Sequence, residues 1–177
     1  MFIIAQACYL LYNHFPVMCM KNTTLCYIRR DSKYLMLHRV KKENDLNHDK
    51  WIGLGGKFEA DESPEECLLR EIREESGLTL TSYKYRGIVT FVSDVWETEY
   101  MHLFTAEGFE GDLTDCDEGV LEWVDISALP ALTQWQGDRI FLDLIAKDAP
   151  FFSLKLRYRG EELAYAALNG RQIVPAP

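Results

Sequence analysis

The spacing of apolar and polar residues predicts a series of β-strands interrupted by two helices. Residues 152–159 alternate between apolar and polar side chains, which is the period of a strand with one buried face. Residues 162–168 follow after Gly160, so the two segments predict a C-terminal β-hairpin. Further segments of strand-like composition occupy residues 23–29, 34–40, 82–93, 99–109 and 120–124, with a polar loop at 41–50 and a glycine-rich extended segment at 51–59.

The first helix is predicted over residues 64–76 because both of its ends are marked. Ser63 is a favourable N-cap residue, Pro64 suits the first helical position, and Glu66 stands where the second half of a capping box belongs. Gly77 can end the helix in a left-handed conformation. These local signals predict the helix without any knowledge of what it packs against.

The second helix is predicted over residues 138–147, where apolar side chains recur at helical spacing. Strands interleaved with two helices predict an α/β (or α+β) sandwich. The chain has 177 residues and contains neither repeats nor low-complexity tracts, so residues 20–177 are expected to form one domain.

Residues 1–19 differ from the rest of the chain. They are rich in apolar and aromatic types but contain no Lys or Arg, and three polar residues interrupt them. They lack both the basic start of a secretory signal and the uninterrupted apolar run of about 20 residues that a membrane span needs. Two interpretations stay open: an added element that packs on the domain, or an upstream extension with the natural start at Met20, which we favour.

The composition narrows the functions that are compatible with the chain. With 19 Lys and Arg against 28 Asp and Glu, the formal net charge is −9, which argues against binding of duplex nucleic acid. The five cysteines form no C-x-x-C pair and are odd in number, so we expect reduced, mostly buried thiols in a cytoplasmic protein. We also expect no membrane association, and a monomer or homodimer.

The most informative segment spans residues 56–78 and reads G-x5-E-x7-R-E-I-x-E-E-x-G-L. Within the predicted helix, Glu71, Glu74 and Glu75 share one face. Like charges four residues apart destabilise a helix by about 0.2–0.5 kcal/mol unless a cation lies between them. Clustered carboxylates are the ligands that Mg²⁺ and Mn²⁺ prefer. The alternative is a solvated acidic surface in which Arg70 and Arg73 form ordinary ion pairs.

The same segment resembles the signature of the Nudix hydrolases, with every fixed position filled. The resemblance implies an α/β/α sandwich around a mixed β-sheet. It also implies hydrolysis of a nucleoside diphosphate linked to another moiety, with Mg²⁺ as the cofactor and Mn²⁺ as a possible substitute. A small-molecule nucleotide is therefore the expected partner.

The resemblance assigns roles to the residues of the signature. Glu71, Glu74 and Glu75 correspond to metal-binding carboxylates, and the backbone carbonyl of Gly55 corresponds to a further metal ligand. Arg70 corresponds to the residue that orients those carboxylates, which is a supporting role in catalysis.

Four residues outside that core set have weaker counterparts. Lys57 corresponds to a residue that reaches the substrate phosphates, and Glu62 to a structural or outer acceptor. Glu118 resembles an additional catalytic, metal-binding carboxylate from a distant loop, although a solvated turn residue is the alternative. Arg39 resembles a residue that contacts the nucleotide, although a surface charge at the end of a strand is nearly as good an interpretation.

Within the family, the chain most resembles the MutT-type and oxidised-purine nucleoside triphosphatases. Trp135 and Asp138 correspond to residues that stack on the base and hydrogen-bond to it. Gly137 stands where those enzymes have a second recognising Asp, and Ile52 stands where they have an Asn. The resemblance therefore implies hydrolysis of a purine triphosphate such as 8-oxo-dGTP to the monophosphate and pyrophosphate, while base preference and a core-packing role for Trp135 stay open.

Two other functions remain compatible with the sequence. The same metal-binding helix could serve a nucleotide sugar, ADP-ribose or a dinucleoside polyphosphate. A non-catalytic nucleotide-binding regulatory module is the second alternative, although the signature retains all of its carboxylates.

Overall fold

A computed structural model of the protein describes residues 20–42 and 45–174. The two interpretations of residues 1–19 lie outside these described residues. The strands are β1 (Lys21–Arg30), β2 (Lys33–His38), β3 (Trp51–Ile52), β4 (Thr79–Ser93), β5 (Glu99–Glu110), β6 (Val120–Asp125), β7 (Phe152–Arg159), β8 (Glu162–Leu168) and β9 (Arg171–Val174). The helices are α1 (Pro64–Ser76) and α2 (Asp138–Ala146), with a 3₁₀ helix at Ile126–Ala131.

The nine strands of the described residues belong to one mixed sheet. Its order is β3-β2-β1-β5-β4-β7-β8-β9, and β6 pairs with β2. The pairs β1/β5 and β4/β7 are parallel, whereas the other pairs are antiparallel. The mixed sheet that the sequence predicted is therefore confirmed.

The helices lie on opposite faces of this sheet. Neighbouring residues of a strand point to opposite sides, and in β1 they join different core clusters. Tyr27 is in the cluster that contains Phe141 of α2, whereas Ile28 is in the cluster that contains Leu68 of α1. Because both faces are covered, residues 23–28 are buried without interruption. This arrangement is the predicted α/β/α sandwich.

Helix α1 begins and ends where the local signals predicted. The Ser63 hydroxyl accepts a hydrogen bond from the Glu66 amide at 3.2 Å, and the Glu66 carboxylate accepts one from the Ser63 amide at 2.8 Å. Gly77 has φ of 77°, and its amide donates to the carbonyl of Arg73. The caps therefore fix where the helix begins and ends, and with it which glutamates face the rest of the domain and which face away from it.

The predicted C-terminal hairpin is present, and it is attached to the sheet in a way that the sequence did not reveal. Strands β7 and β8 are antiparallel, and β9 adds a third strand that was not predicted. Strand β7 also pairs in parallel with β4, so its inward side chains join the core. The hairpin thus extends the central sheet.

Three of the five cysteines lie among the described residues. Cys26, Cys67 and Cys116 are buried and free, as predicted. Cys8 and Cys19 lie outside the described part of the chain. No helix within residues 20–42 and 45–174 is long and apolar enough to cross a membrane.

Candidate active site

A cavity of about 560 Å³ opens where the glycine-rich segment, α1 and the start of α2 meet. Its walls come from widely separated parts of the chain, including the start of β1 and the inward face of β7. Eight of the predicted site residues line it: Arg39, Gly55, Lys57, Glu71, Glu75, Glu118, Trp135 and Asp138. The other two, Arg70 and Glu74, lie behind or beside this wall.

Two carboxylates of α1 are held against the glycine-rich segment. Glu75 is buried, and its Oε2 accepts a hydrogen bond from the Gly55 amide at 2.8 Å. A Cβ atom at Gly56 would lie 2.4 Å from Cδ of Glu71, so a larger residue would push this carboxylate away from its present place. The fold therefore brings Glu71, Glu75 and the Gly55 backbone together.

Burial makes the charged form of Glu75 costly. It raises the pKa of Glu75 to about 7, against the opposing effect of the Gly55 hydrogen bond, and the nearby Glu71 raises that pKa further. A buried carboxylate with a second one beside it is stabilised in its charged form by a cation. The electrostatics of this wall thus favour a positively charged ligand.

Arg70 organises the carboxylates from behind. Its guanidinium binds both oxygens of Glu62, at 2.6 and 2.9 Å, and lowers the pKa of that carboxyl to about 2. Its Nη1 donates to Glu71 at 2.8 Å and to Glu74 at 3.1 Å. Its Nη2 donates to the carbonyl of Lys57 at 3.0 Å. One guanidinium therefore ties α1 to the segment that precedes it.

Glu74 differs in position from the other two glutamates of the signature. Its side chain is 61% exposed, and it is absent from the cavity wall. On a helix with about 100° per residue, Glu71 and Glu75 differ by only 40°, whereas Glu74 is turned to the side. The three carboxylates are neighbours, but only two face the cavity.

Glu118 and Arg39 both line the cavity and form an ion pair with each other. Glu118 forms ion pairs with Arg39 and Lys42, and Arg39 also binds Asp45 at 2.6 Å. The Arg39 side chain is only 12% exposed. Neither Arg39 nor Glu118 is therefore the freely solvated charge that the alternative interpretations described.

The donor atoms of the site fit a hard divalent cation in chemistry, because carboxylate and carbonyl oxygens are the ligands of Mg²⁺ and Mn²⁺. In the part of the chain that the structure describes, no three His, Cys, Asp or Glu side chains are already gathered closely enough to hold a metal ion. Glu118 is instead paired with Arg39 and Lys42.

Trp135 belongs to the core and to the cavity wall at the same time. It is 8% exposed, and its ring meets Phe91 and Tyr158 edge-on, with centroids 5.7 and 5.0 Å apart. Its Nε1 donates to Oδ1 of Asn47 at 2.8 Å. The two sequence interpretations of Trp135, base contact and core packing, are thus compatible in one position.

Asp138 begins α2 next to this tryptophan. Burial raises the pKa of Asp138 to about 8, against the opposing effect of Lys50. The side chain is therefore mostly protonated at neutral pH and can donate a hydrogen bond as well as accept one. Ile52 also lines the cavity, and its hydrocarbon side chain can do neither.

Several residues that line the cavity or pack beside it were not found from the sequence. Asn47 and Lys50 lie in what the sequence shows only as a polar loop, yet Lys50 is buried beside Trp135. The alternation of residues 152–159 predicts that Tyr158 faces inward, but its place in the cavity depends on the pairing of β7 with β4. Leu156 lines the cavity for the same reason.

Comparison with known proteins agrees with this geometry. The NUDIX domain family matches residues 20–145. The oxidized purine nucleoside triphosphate hydrolase of Danio rerio is 32% identical over 124 residues, which cover 69% of this chain and 78% of that protein. The uncharacterized Nudix hydrolase YvcI of Bacillus subtilis is 29% identical over 133 residues, covering 72% and 80%.

A solved structure supports the same assignment. The MutT protein from Bacillus halodurans superposes with a TM-score of 0.74 at 25% identity, over 84% of this chain and 97% of its own. The family that the signature predicted is confirmed by the sequence match and by this fold. The chain belongs to the Nudix family and is a MutT-like hydrolase of nucleotide substrates.

Proposed function

We propose that this enzyme hydrolyses purine nucleoside triphosphates, including oxidised ones such as 8-oxo-dGTP, to the monophosphate and pyrophosphate, with Mg²⁺ as cofactor and Mn²⁺ as a substitute. One observation carries the proposal: a single cavity combines the acidic wall of Glu71 and Glu75 with the aromatic wall of Trp135. A nucleoside triphosphate presents two matching parts, an anionic chain that requires a cation and a flat base that requires an apolar contact. The name of the Danio rerio relative supports the same substrate class.

Five groups would hold the metal ion: the carboxylates of Glu71, Glu74, Glu75 and Glu118 and the carbonyl of Gly55. The bound ion supplies neutralisation of the phosphate charge and acidification of the attacking water. The protein's own contribution is orientation. Arg70 fixes Glu71 and Glu74 through Nη1, and the Gly55 amide fixes Glu75.

Arg39 and Lys57 are the residues that we expect to contact the phosphates. Both line the cavity, and Lys57 is exposed, so its ammonium is free to reach an anion. Arg39 is paired with Glu118. A triphosphate bound to Arg39 would compete with Glu118 for this guanidinium and would leave Glu118 free to hold the metal ion, so the two ligands are expected to bind cooperatively.

The base is held by Trp135 and Asp138 in this proposal. Stacking of a base on an aromatic side chain is worth roughly 1–3 kcal/mol. Steep discrimination between bases comes from polar groups that are left unpaired by the wrong base. Because Ile52 offers no polar group, we expect a weaker preference for 8-oxo-dGTP over dGTP than a site with a polar residue there would give.

A nucleotide panel tests the proposal. The full chain is incubated with Mg²⁺ and purine triphosphates, pyrimidine triphosphates, ADP-ribose, nucleotide sugars and dinucleoside polyphosphates, and products are separated by ion-exchange chromatography. We expect the highest kcat/KM for a purine triphosphate, with pyrophosphate as a product. Faster release of AMP and a sugar phosphate would contradict the proposal, and nucleotide binding without turnover would indicate a regulatory module.

A further inference from the structure

Strand β7 supplies part of the cavity although it lies beyond the segment that matches the family. The match ends at residue 145, whereas Leu156 and Tyr158 both line the cavity. They reach it because β7 pairs in parallel with β4 and turns alternate side chains inward. The C-terminal hairpin therefore shapes the site as well as the sheet.

Tyr158 is held rigidly at this position. It is fully buried, and its ring meets Trp135 edge-on and lies 5.1 Å from that of Phe91. Its hydroxyl oxygen accepts a hydrogen bond from the Gly137 amide at 2.8 Å. Among the residues that the structure describes, the hydroxyl donates no hydrogen bond of its own. The hydroxyl thus has an unused donor on a residue that lines the cavity.

The backbone next to Tyr158 leaves no room for a competing side chain. A Cβ atom at Gly137 would lie 2.7 Å from the Tyr158 hydroxyl oxygen and 2.5 Å from Cδ1 of Leu156. Any residue other than glycine would have to displace the hydroxyl. The hydroxyl of Tyr158 therefore occupies the space that a side chain at residue 137 would need. In its place, the tyrosine provides the polar group that Gly137 lacks.

The hydroxyl is suited to one kind of partner. One of its acceptor positions is already used by the Gly137 amide, whereas its single donor is free. A carbonyl oxygen on a base can accept from that donor, but an exocyclic amino group cannot. Asp138, which starts α2 beside it, is mostly protonated at neutral pH and adds a second possible donor.

We infer that Tyr158 is a specificity-determining residue, which donates a hydrogen bond to a carbonyl oxygen of the base and thereby favours 6-oxopurine triphosphates over purines that lack this oxygen. The inference rests on the proposed purine triphosphatase activity and deepens it by naming the class of base. It assigns that selection to a strand outside the family-matched residues.

Two substrates that differ at one atom test this role. The full chain and its Tyr158→Phe variant are assayed with dITP and with the 2′-deoxy purine riboside triphosphate, which lacks the 6-oxygen. The wild type should prefer dITP. Tyr158→Phe should lower kcat/KM for dITP about three- to tenfold, the range for loss of one neutral hydrogen bond, mainly through KM, and should change the value for the other substrate by less than about twofold.

Tyr165→Phe is the matched control, because this tyrosine of β8 stacks with Arg157 and is not part of the cavity wall. It should leave both substrates unaffected. Equal losses on both substrates with Tyr158→Phe would overturn the inference, since they would indicate a structural effect of the lost Gly137 contact.

A binding measurement on the wild type keeps the test independent of any folding defect in the variant. Calorimetry should show tighter binding of dIMP than of 2′-deoxy purine riboside monophosphate. Equal affinities, or equal hydrolysis of the two triphosphates, would overturn the inference while the proposed function stands. No hydrolysis of any purine triphosphate would overturn the proposed function and this inference with it.

Discussion

The ammonium group of Lys50 lies 4.6 Å from the centre of the Trp135 ring and pairs with Glu161 at 2.8 Å. Lys50 comes from the loop before β3, Trp135 from the loop before α2, and Glu161 from the turn between β7 and β8. Three distant segments thus meet at the tryptophan that lines the cavity. Since Lys50 is only 7% exposed, its charge is compensated mainly by these contacts.

Replacement of Lys50 is expected to destabilise the protein more than replacement of its ionic partner. Lys50→Ala removes a largely desolvated cation–π contact and a buried aliphatic stem, so the free energy of unfolding should fall by about 1–2 kcal/mol. Glu161→Gln, in which the altered side chain is 77% exposed, should change it by less than about 0.5 kcal/mol. Urea denaturation of both variants measures the difference. Equal losses of stability in the two variants would show that Lys50 stabilises the protein through its ion pair with Glu161 and not through its contact with the indole ring.

The metal-binding assignment predicts a large loss of activity in Glu74→Gln. Turnover should fall about a hundredfold or more, since even outer partners of a metal site contribute 10–100-fold. Because Glu74 is 61% exposed, its replacement disturbs no packing, so an activity loss reports on chemistry. Glu65→Gln, at an acidic position in the first turn of the same helix, is the control. Mg²⁺-dependent pyrophosphate release is the measurement, and full activity of Glu74→Gln would refute the assignment.

Because the carboxyl group of Asp138 is buried, we expect the stability of the folded protein to depend on pH. Its pKa is about 8 in the folded protein, against 3.8 for an ordinary Asp, so the folded state binds more protons between these values. The free energy of unfolding should therefore fall as pH rises from about 4 to 8, by at most about 1.4 kcal/mol per pH unit from this group.

In Asp138→Asn this contribution disappears. The variant should gain stability relative to the wild type as pH increases from 5 to 8, and the gain should level off above pH 8. Urea denaturation at several pH values, without nucleotide, measures it. A difference that is independent of pH would mean that Asp138 is already ionised at pH 5.

Residues 1–19 are predicted to be dispensable. The family match starts at residue 20, and β1 starts at Lys21. A protein that begins at Met20 should therefore keep the melting temperature and the kcat/KM of the full chain, as measured by thermal unfolding and the pyrophosphate assay. A large drop in melting temperature would favour the alternative, in which this segment packs on the domain.

Features that depend on neighbouring residues could be predicted from the sequence, whereas features that depend on distant ones could not. The limits of α1 were predicted because Ser63, Glu66 and Gly77 act locally. Helical periodicity likewise predicted that Glu71 and Glu75 share a side. The pairing of Glu118 with Arg39, 79 residues apart, has no local signal.

The same limit explains why the aromatic wall of the cavity was only partly predicted. Trp135 and Asp138 were identified by resemblance, but the burial of Lys50 beside them depends on the path of its loop. From the sequence alone, Tyr158 is predicted only to be an inward-facing residue of a hairpin. Only the parallel pairing of β7 with β4 brings its hydroxyl to the Gly137 amide.

That pairing also governs the order in which the protein can be assembled. Gly87 pairs with Phe152, and Lys21 with Glu99, so both parallel strand pairs join parts of the chain that are synthesised far apart in time. Such non-local contacts slow folding, because the intervening chain must be closed into a loop first. A nascent chain that already contains the whole Nudix signature still lacks Tyr158, and its unpaired β4 edge is open to association with other chains until β7 emerges from the ribosome.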